Sequence, residues 1–289
     1  MHVARRWWRA PASLRPSTSV LRSRALSSSG SEEDADALLP LFPSSTREAL
    51  RRGLESDGFC ILRGFASNAV ALAMRREAER LFKDGYMFQS MSVDEHGNSF
   101  PKHNVFASEL DGHEWDIAPT ILQYTRSIML QAPDMLNTLF PELHISSRAY
   151  ASKLAVSLGD GASCTSYIPT CRFLMLLVDP KHCDTAGLPD QRKVTMVYYL
   201  NPHWEPAHGG QLQVYTKDGG ILAVEPVSDT LAVFWSDQVV HDVLPCTNDP
   251  NNERAQRYAL TLWLVSDDPS QIVNPSHPLY SLRCEHFGA

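Results

Sequence analysis

From residue 151 to residue 266 the sequence alternates short β-rich runs with turn residues and leaves no room for a helix between them. The runs are SKLAVSL (152–158), FLMLLV (173–178), KVTMVYYL (193–200), GQLQVYT (210–216), ILAVEP (221–226), TLAVFW (230–235), QVVHDVL (238–244) and RYALTLWLV (257–265). Clusters such as LGDG, AHGG, KDGG and TNDPNN separate them. Parallel pairing needs long crossover connections, so strands this closely spaced pair antiparallel, and the region predicts a sandwich or barrel.

The preceding stretch, from about 46 to 145, reads as mainly helical. STREALRRGLESDG (45–58) opens on Ser and Thr and ends at Gly58, a helix with a cap residue at each end. FCILRGF (59–65) is a short strand. NAVALAMRREAERLFKDG (68–85) places Ala69, Leu72, Ala73, Ala78, Leu81 and Phe82 on one expected buried face, with Gly85 as the stop. PTILQYTRSIMLQAPDMLNTLF (119–140) predicts a third helix. The expected division is a leader (1–31), a helical support (32–150), the β domain (151–266) and a C-terminal tail (267–289).

Charge is unevenly spread. The formal charge of -7 includes six arginines and no acid within residues 1–31, so the remainder carries -13. A body this acidic is a poor match for phosphate backbones and argues against a nucleic-acid partner. An Arg- and Ser-rich, acid-free leader has the composition of an organelle transit peptide, with Arg24 three positions before a cut between Leu26 and Ser27. That places the chain in the mitochondrion, with plastid or cytoplasm as the alternatives. No apolar run approaches the roughly 20 residues of a membrane span. Six cysteines without a C-x-x-C pair argue against a zinc finger and against a secreted disulfide framework. The oligomeric state is left open.

Two His-x-acid pairs occur, His182-Cys183-Asp184 and His203-Trp204-Glu205. With 11 His and 33 acids in 289 residues, chance alone gives roughly one. Context separates them. His203 and Glu205 lie between Pro202 and Pro206, in a turn. His182 and Asp184 precede a strong strand, and QVVHDVL supplies His241 further on. Two imidazoles and one carboxylate on a β-barrel make the facial triad of non-haem iron, which leaves coordination positions open. Arg257 opens an apolar strand and shares its face with Ala259, Thr261 and Trp263, a setting in which a cation needs an anionic partner.

The segments HCD, VTMVYYLNPHW, HGGQLQVY, DTLAVFWSDQVVHDVLP and RYALTLWLV, in this order, resemble the catalytic domain of 2-oxoglutarate- and Fe(II)-dependent dioxygenases of the prolyl 4-hydroxylase type. The similarity is greatest to the oxygen-sensing prolyl hydroxylases. DGFCILRGF resembles that family's N-terminal flank. The resemblance implies a mainly β fold, a double-stranded β-helix (jelly roll) braced by N-terminal helices. It implies His182, Asp184 and His241 as iron ligands and catalytic residues, and Arg257, Tyr199, Thr261 and Leu212 around 2-oxoglutarate. Fe(II), 2-oxoglutarate, O2 and L-ascorbate are the implied cofactors and cosubstrates, and succinate and CO2 the by-products. The implied reaction is hydroxylation of an aliphatic carbon, a prolyl residue of a protein or peptide foremost. An oxygenase acting on a small molecule or lipid, and an inert jelly-roll binding module, are the alternatives.

Three departures accompany the resemblance. TSYIPTCRFLMLLVD before HCD is longer than the family's connection, and the family's tyrosine on the preceding strand is replaced near Ser157 or Leu158. The interval from His241 to Arg257 is also long, so CTNDPNNE (246–253) is expected to bulge as a polar loop. Cys183, between two ligands, is expected to point away from the metal yet to be open to oxidation.

Overall fold

The computed structural model describes residues 38–93, 98–162 and 181–287. The chain opens with helix α1 (Ser44–Ser56), strand β1 (Phe59–Arg63) and helix α2 (Asn68–Lys83). A hairpin of β2 (Phe88–Val93) and β3 (Ser99–Ser108) leads to the long helix α3 (Pro119–Leu139). The barrel strands follow: β4 (Ile145–Ser157), β5 (Arg192–Tyr199), β6 (Leu212–Tyr215), β7 (Ile221–Val224), β8 (Thr230–Trp235), β9 (His241–Val243) and β10 (Arg257–Ser266). Helix α4 (Tyr280–Phe287) closes the described chain.

Every named strand pair is antiparallel, in a seven-stranded sheet ordered β1-β8-β5-β10-β4-β3-β2 and a three-stranded sheet ordered β7-β6-β9. The strand runs expected from 152 to 158 and from 193 to 265 all form. FLMLLV lies outside the described residues. The β2–β3 hairpin corrects the expectation of a mainly helical stretch. Its sequences, FQSMSV and SFPKHNVFAS, carry few β-branched residues, and Val105 is the one β3 residue that is buried. Pairing of β3 with β4 recruits these strands, a tertiary gain that local pattern does not signal.

On β10 the even positions from Tyr258 to Ser266 are buried and the odd ones from Thr261 onward are half-open, so one face packs on the core while the other faces the barrel interior. The helices cover the core face of the large sheet. α1 buries Leu50 and Leu54. Gly58, in the left-handed conformation after α1, sits where a Cβ would lie 2.2 Å from Leu279 of the C-terminal segment. α2 buries Ala71, Met74, Arg75, Ala78 and Leu81, whereas Ala69 is exposed, so the helix is rotated from the expected face. Glu77 on α2 accepts from the Thr120 and Ile121 amides at 3.0 and 2.9 Å and so satisfies the free N–H groups that open α3.

Residues 267–287 dock on the barrel. The Lys193 ammonium donates to both Asp237 oxygens at 3.1 and 3.0 Å and to the Gln271 carbonyl at 2.7 Å. Asp237 in turn accepts from the Val273 amide at 2.7 Å, and Arg283 donates to the Ala186 carbonyl at 3.1 Å. Lys193 and Asp237 are fully enclosed, and a buried charge persists only when matched in this way. No described helix is long and apolar enough to cross a membrane.

Candidate functional site

His241 opens β9 opposite Val214 of β6, and its backbone exchanges two hydrogen bonds of 2.9 Å with His182. This bridge sets the two imidazoles side by side, ring centroids 4.3 Å apart. Asp184 follows two residues after His182, and one donor atom from each of the three lies within 4.8 Å of the others. Neighbours orient two of these donors, His241 and Asp184. His241 Nδ1 donates to the Val239 carbonyl at 3.0 Å, which turns Nε2 toward Asp184 Oδ1 at 3.8 Å. The Thr195 hydroxyl donates to Asp184 Oδ2 at 2.5 Å and contacts Ser236 Oγ at 2.7 Å. Burial pushes the Asp184 carboxyl up, but the imidazoles, the Thr195 hydroxyl and Arg192 outweigh it and hold the group below the ordinary carboxylate range. An ionised carboxylate with two imidazole nitrogens is a donor set that fits a divalent metal.

The rest of the interior follows from register, because directly paired residues share a face. Ala259 pairs with Tyr199, Thr261 with Val197, and Trp263 with Thr195. Arg257, Tyr199 and Thr261 therefore open on the same side as Thr195 and the carboxylate it holds. Arg257 is 5% exposed, donates from Nε to the Gly210 carbonyl at 2.8 Å, and lies 5.2 Å from the centre of the Tyr199 ring. Gly210 has φ +75°, and a Cβ there would sit 2.7 Å from Arg257 Cδ, so glycine alone lets the loop lie against the arginine. Leu212 is buried two residues from Val214, on the face that carries His241. Sequence-expected metal and cosubstrate residues thus meet in one interior.

Other expectations resolve here. His203 and Glu205 are exposed in a turn, where Glu205 and His208 cap a short 3-10 helix. Burial pushes the Cys183 thiol up to about 12, with Asp184 and Asp237 adding to the rise and Arg283 opposing it, so the thiol stays protonated and poorly reactive. Ser157, near the position of the missing tyrosine, pairs with Arg257. CTNDPNNE is only partly solvated: Cys246 and Asn248 are buried and exchange backbone bonds of 2.8–2.9 Å with residues 160–162. All of TSYIPTCRFLMLLVD lies outside the described residues. Sequence reasoning overlooked Thr195, whose one signal is a hydroxyl inside the apolar run KVTMVYY. It also gave no role to Trp263, whose buried indole N–H has no partner among the described residues and whose ring lies 5.3 Å from the Arg192 guanidinium.

The sequence profile of the 2OG-Fe(II) oxygenase superfamily matches residues 179–265, a stretch that contains the three clustered donors and Arg257. Over residues 179–265 the chain is similar to 2OG-Fe(II) oxygenase domains. The chain is 40% identical over 86 residues to human prolyl hydroxylase EGLN3, an overlap of 29% of this chain and 33% of that protein. The hypoxia-inducible factor prolyl hydroxylase of Caenorhabditis elegans is 25% identical over 231 residues, 75% of this chain and 28% of that one. The chain therefore spans about a third of the length of the curated relatives it matches. Among solved structures, a Trichoplax adhaerens prolyl hydroxylase in complex with a hypoxia inducible factor oxygen degradation domain peptide fragment aligns with a TM-score of 0.62 at 23% identity. That alignment covers 77% of this chain and 90% of the other, and it shows a common fold, the double-stranded β-helix. The matched family takes its name from 2-oxoglutarate and Fe(II), and the donors of His182, Asp184 and His241 suit such a metal.

Proposed function

We propose that the chain is an Fe(II)- and 2-oxoglutarate-dependent dioxygenase that hydroxylates prolyl residues of a protein or peptide and releases succinate and CO2. The observation that supports this above all is the meeting of His182, Asp184 and His241 within 4.8 Å in the interior that also holds Arg257. The name and identity of the EGLN3 relative support prolyl hydroxylation, and the peptide held by the Trichoplax relative supports a peptide substrate.

His182, Asp184 and His241 would hold Fe(II), and Arg257, Tyr199 and Thr261 the distal carboxylate of 2-oxoglutarate. Bound iron supplies the oxygen activation and the two-electron oxidation of the cosubstrate. The chain's own residues bind, orient and enclose. Thr195 and the Val239 carbonyl fix the donors, and a guanidinium grips a carboxylate through two parallel N–H groups. Phe234, with its ring 4.7 Å from His241, and Leu212 supply apolar walls that exclude water. L-ascorbate serves as the reductant that keeps the iron divalent.

The test is succinate formation with Fe(II), 2-oxoglutarate and a panel of prolyl peptides, with the added oxygen located by mass spectrometry. Succinate no higher than with His182→Ala protein would defeat the proposal. We further infer that residues 1–31, outside the described residues, address the chain to the mitochondrion. A reporter fused to them should be imported and cut near Leu26, and a cytosolic reporter with an intact N-terminus would count against it.

A further inference from the structure

Arg75 lies on α2, outside the stretch matched by the oxygenase profile, and is buried at 4% exposure. Its Nη1 lies 3.1 Å from the Leu200 carbonyl, 3.0 Å from Asn201 Oδ1 and 2.9 Å from the Gln256 carbonyl. Nη2 donates to the Glu253 carbonyl at 2.9 Å and Nε to Glu79 at 2.6 Å, and the guanidinium lies 4.2 Å from the centre of the Tyr258 ring. Its acceptors have a common location. Leu200 follows Tyr199, and Gln256 precedes Arg257.

The register of β5 and β10 ends at Tyr199 and Ala259, so Arg257 emerges where the ladder between these strands has stopped. One further backbone bond, Leu200 N to Tyr258 O, measures 3.2 Å. Side chains hold the two ends from there. Asn201 accepts from the Tyr258 amide at 2.7 Å and donates to the Tyr258 carbonyl at 3.1 Å, while Arg75 spans both strand ends and the turn at Glu253. A planar fork with five N–H donors suits such dispersed acceptors, and a single ammonium does not. Without it, buried carbonyls of Leu200 and Gln256 lose a partner, and the cheapest response is for the strand ends to shift toward water.

We propose that Arg75 is a positioning residue for 2-oxoglutarate, clamping the backbone on both sides of the site so that Tyr199 and Arg257 address one carboxylate. This rests on the oxygenase reading above. It places control of the cosubstrate end in the helical flank. The metal end has anchors of its own: His241 donates to the Val239 carbonyl, Asp184 accepts from Thr195, and His182 pairs with His241 through the backbone.

The experiment uses the full chain, loaded anaerobically with Fe(II), and titrates 2-oxoglutarate by the visible band of the ternary complex. Iron affinity is measured separately by chelator competition. Arg75→Met should weaken 2-oxoglutarate binding about ten-fold or more, Arg75→Lys by an intermediate factor, and neither should move iron affinity beyond about two-fold. Met74→Ala, a core truncation on the same helix, should lower Tm and leave 2-oxoglutarate affinity unchanged. A folded Arg75→Lys protein that binds 2-oxoglutarate as tightly as the unaltered chain overturns the assignment, whatever the methionine variant does. So does Met74→Ala weakening binding as much as Arg75→Met, which would reduce Arg75 to general stability. An unaltered chain that binds iron but no 2-oxoglutarate defeats the oxygenase reading and this inference with it.

Discussion

Thr195 and Asp184 are joined by one hydrogen bond of 2.5 Å, which ties up Oδ2 and leaves Oδ1 facing His241. Partners of this kind around metal ligands contribute roughly 10- to 100-fold in metal affinity. Thr195→Val keeps the shape and removes the donor, so Fe(II) affinity should fall by about that factor. Thr195→Ser, which keeps the hydroxyl, should retain most of it. Equal iron affinity in the valine variant and the unaltered chain, measured by competition with a chelator, would show that the bond is incidental.

The two His-x-acid pairs make opposite predictions. His182→Ala or His241→Ala should abolish stoichiometric Fe(II) binding in anaerobically purified protein, since each removes one of three donors. His203→Ala alters an exposed turn and should leave iron content intact. Loss of iron in the His203 variant alone would mean that the wrong pair had been chosen.

Arg257 and Arg254 separate in the same way. Arg257 is enclosed beside Tyr199, whereas Arg254 is exposed in the 3-10 turn before β10. Truncating one partner of a buried, hydrogen-bonded charge pair costs roughly 2 to 5 kcal/mol. Arg257→Ala should therefore raise the 2-oxoglutarate requirement about thirty-fold or more with iron still bound. Arg254→Ala should change it little, because exposed pairs contribute only about 0 to 1 kcal/mol. Titration of 2-oxoglutarate against the two variants checks this.

His277 supplies a pH dependence. Burial, together with the nearby Lys193 ammonium and against a smaller opposing pull from Asp237, holds it down at about 4, against 6.5 in an unfolded chain. Between these values the unfolded chain binds the proton and the folded one does not, so the stability involved is complete above pH 6.5 and is lost as pH falls through 4. His277→Leu should flatten the fall of Tm between pH 6.5 and 4. Parallel melting curves for the two proteins would show the idea to be wrong. The lowered carboxyls of Asp111, Asp218 and Asp268 act below that window.

Much of the barrel was legible because its strands are apolar runs bounded by turn residues, as with TLAVFW between Asp229 and Ser236. The donor triad was legible because His182 and Asp184 stand just before such a strand and His241 within another. What stayed hidden depends on contacts far apart in the chain. Arg75 reads as one more charge on an amphipathic helix, and only its acceptors at 200, 201, 253 and 256 reveal a clamp. Thr195 reads as a strand residue. The β2–β3 hairpin has no apolar period of its own, and its order comes from a neighbour that arrives later in sequence.

The matched charges of Lys193 and Asp237 also set an order of events during synthesis. Lys193 leaves the ribosome well ahead of Asp237, and longer still before Gln271 and Val273 complete the set. Until then β5 contains an ammonium with nowhere dry to go. The nascent sheet cannot seal around this strand while that charge still needs water. A chain halted after β10 would possess every strand of the barrel and yet hold open the seam on which residues 267–287 come to rest.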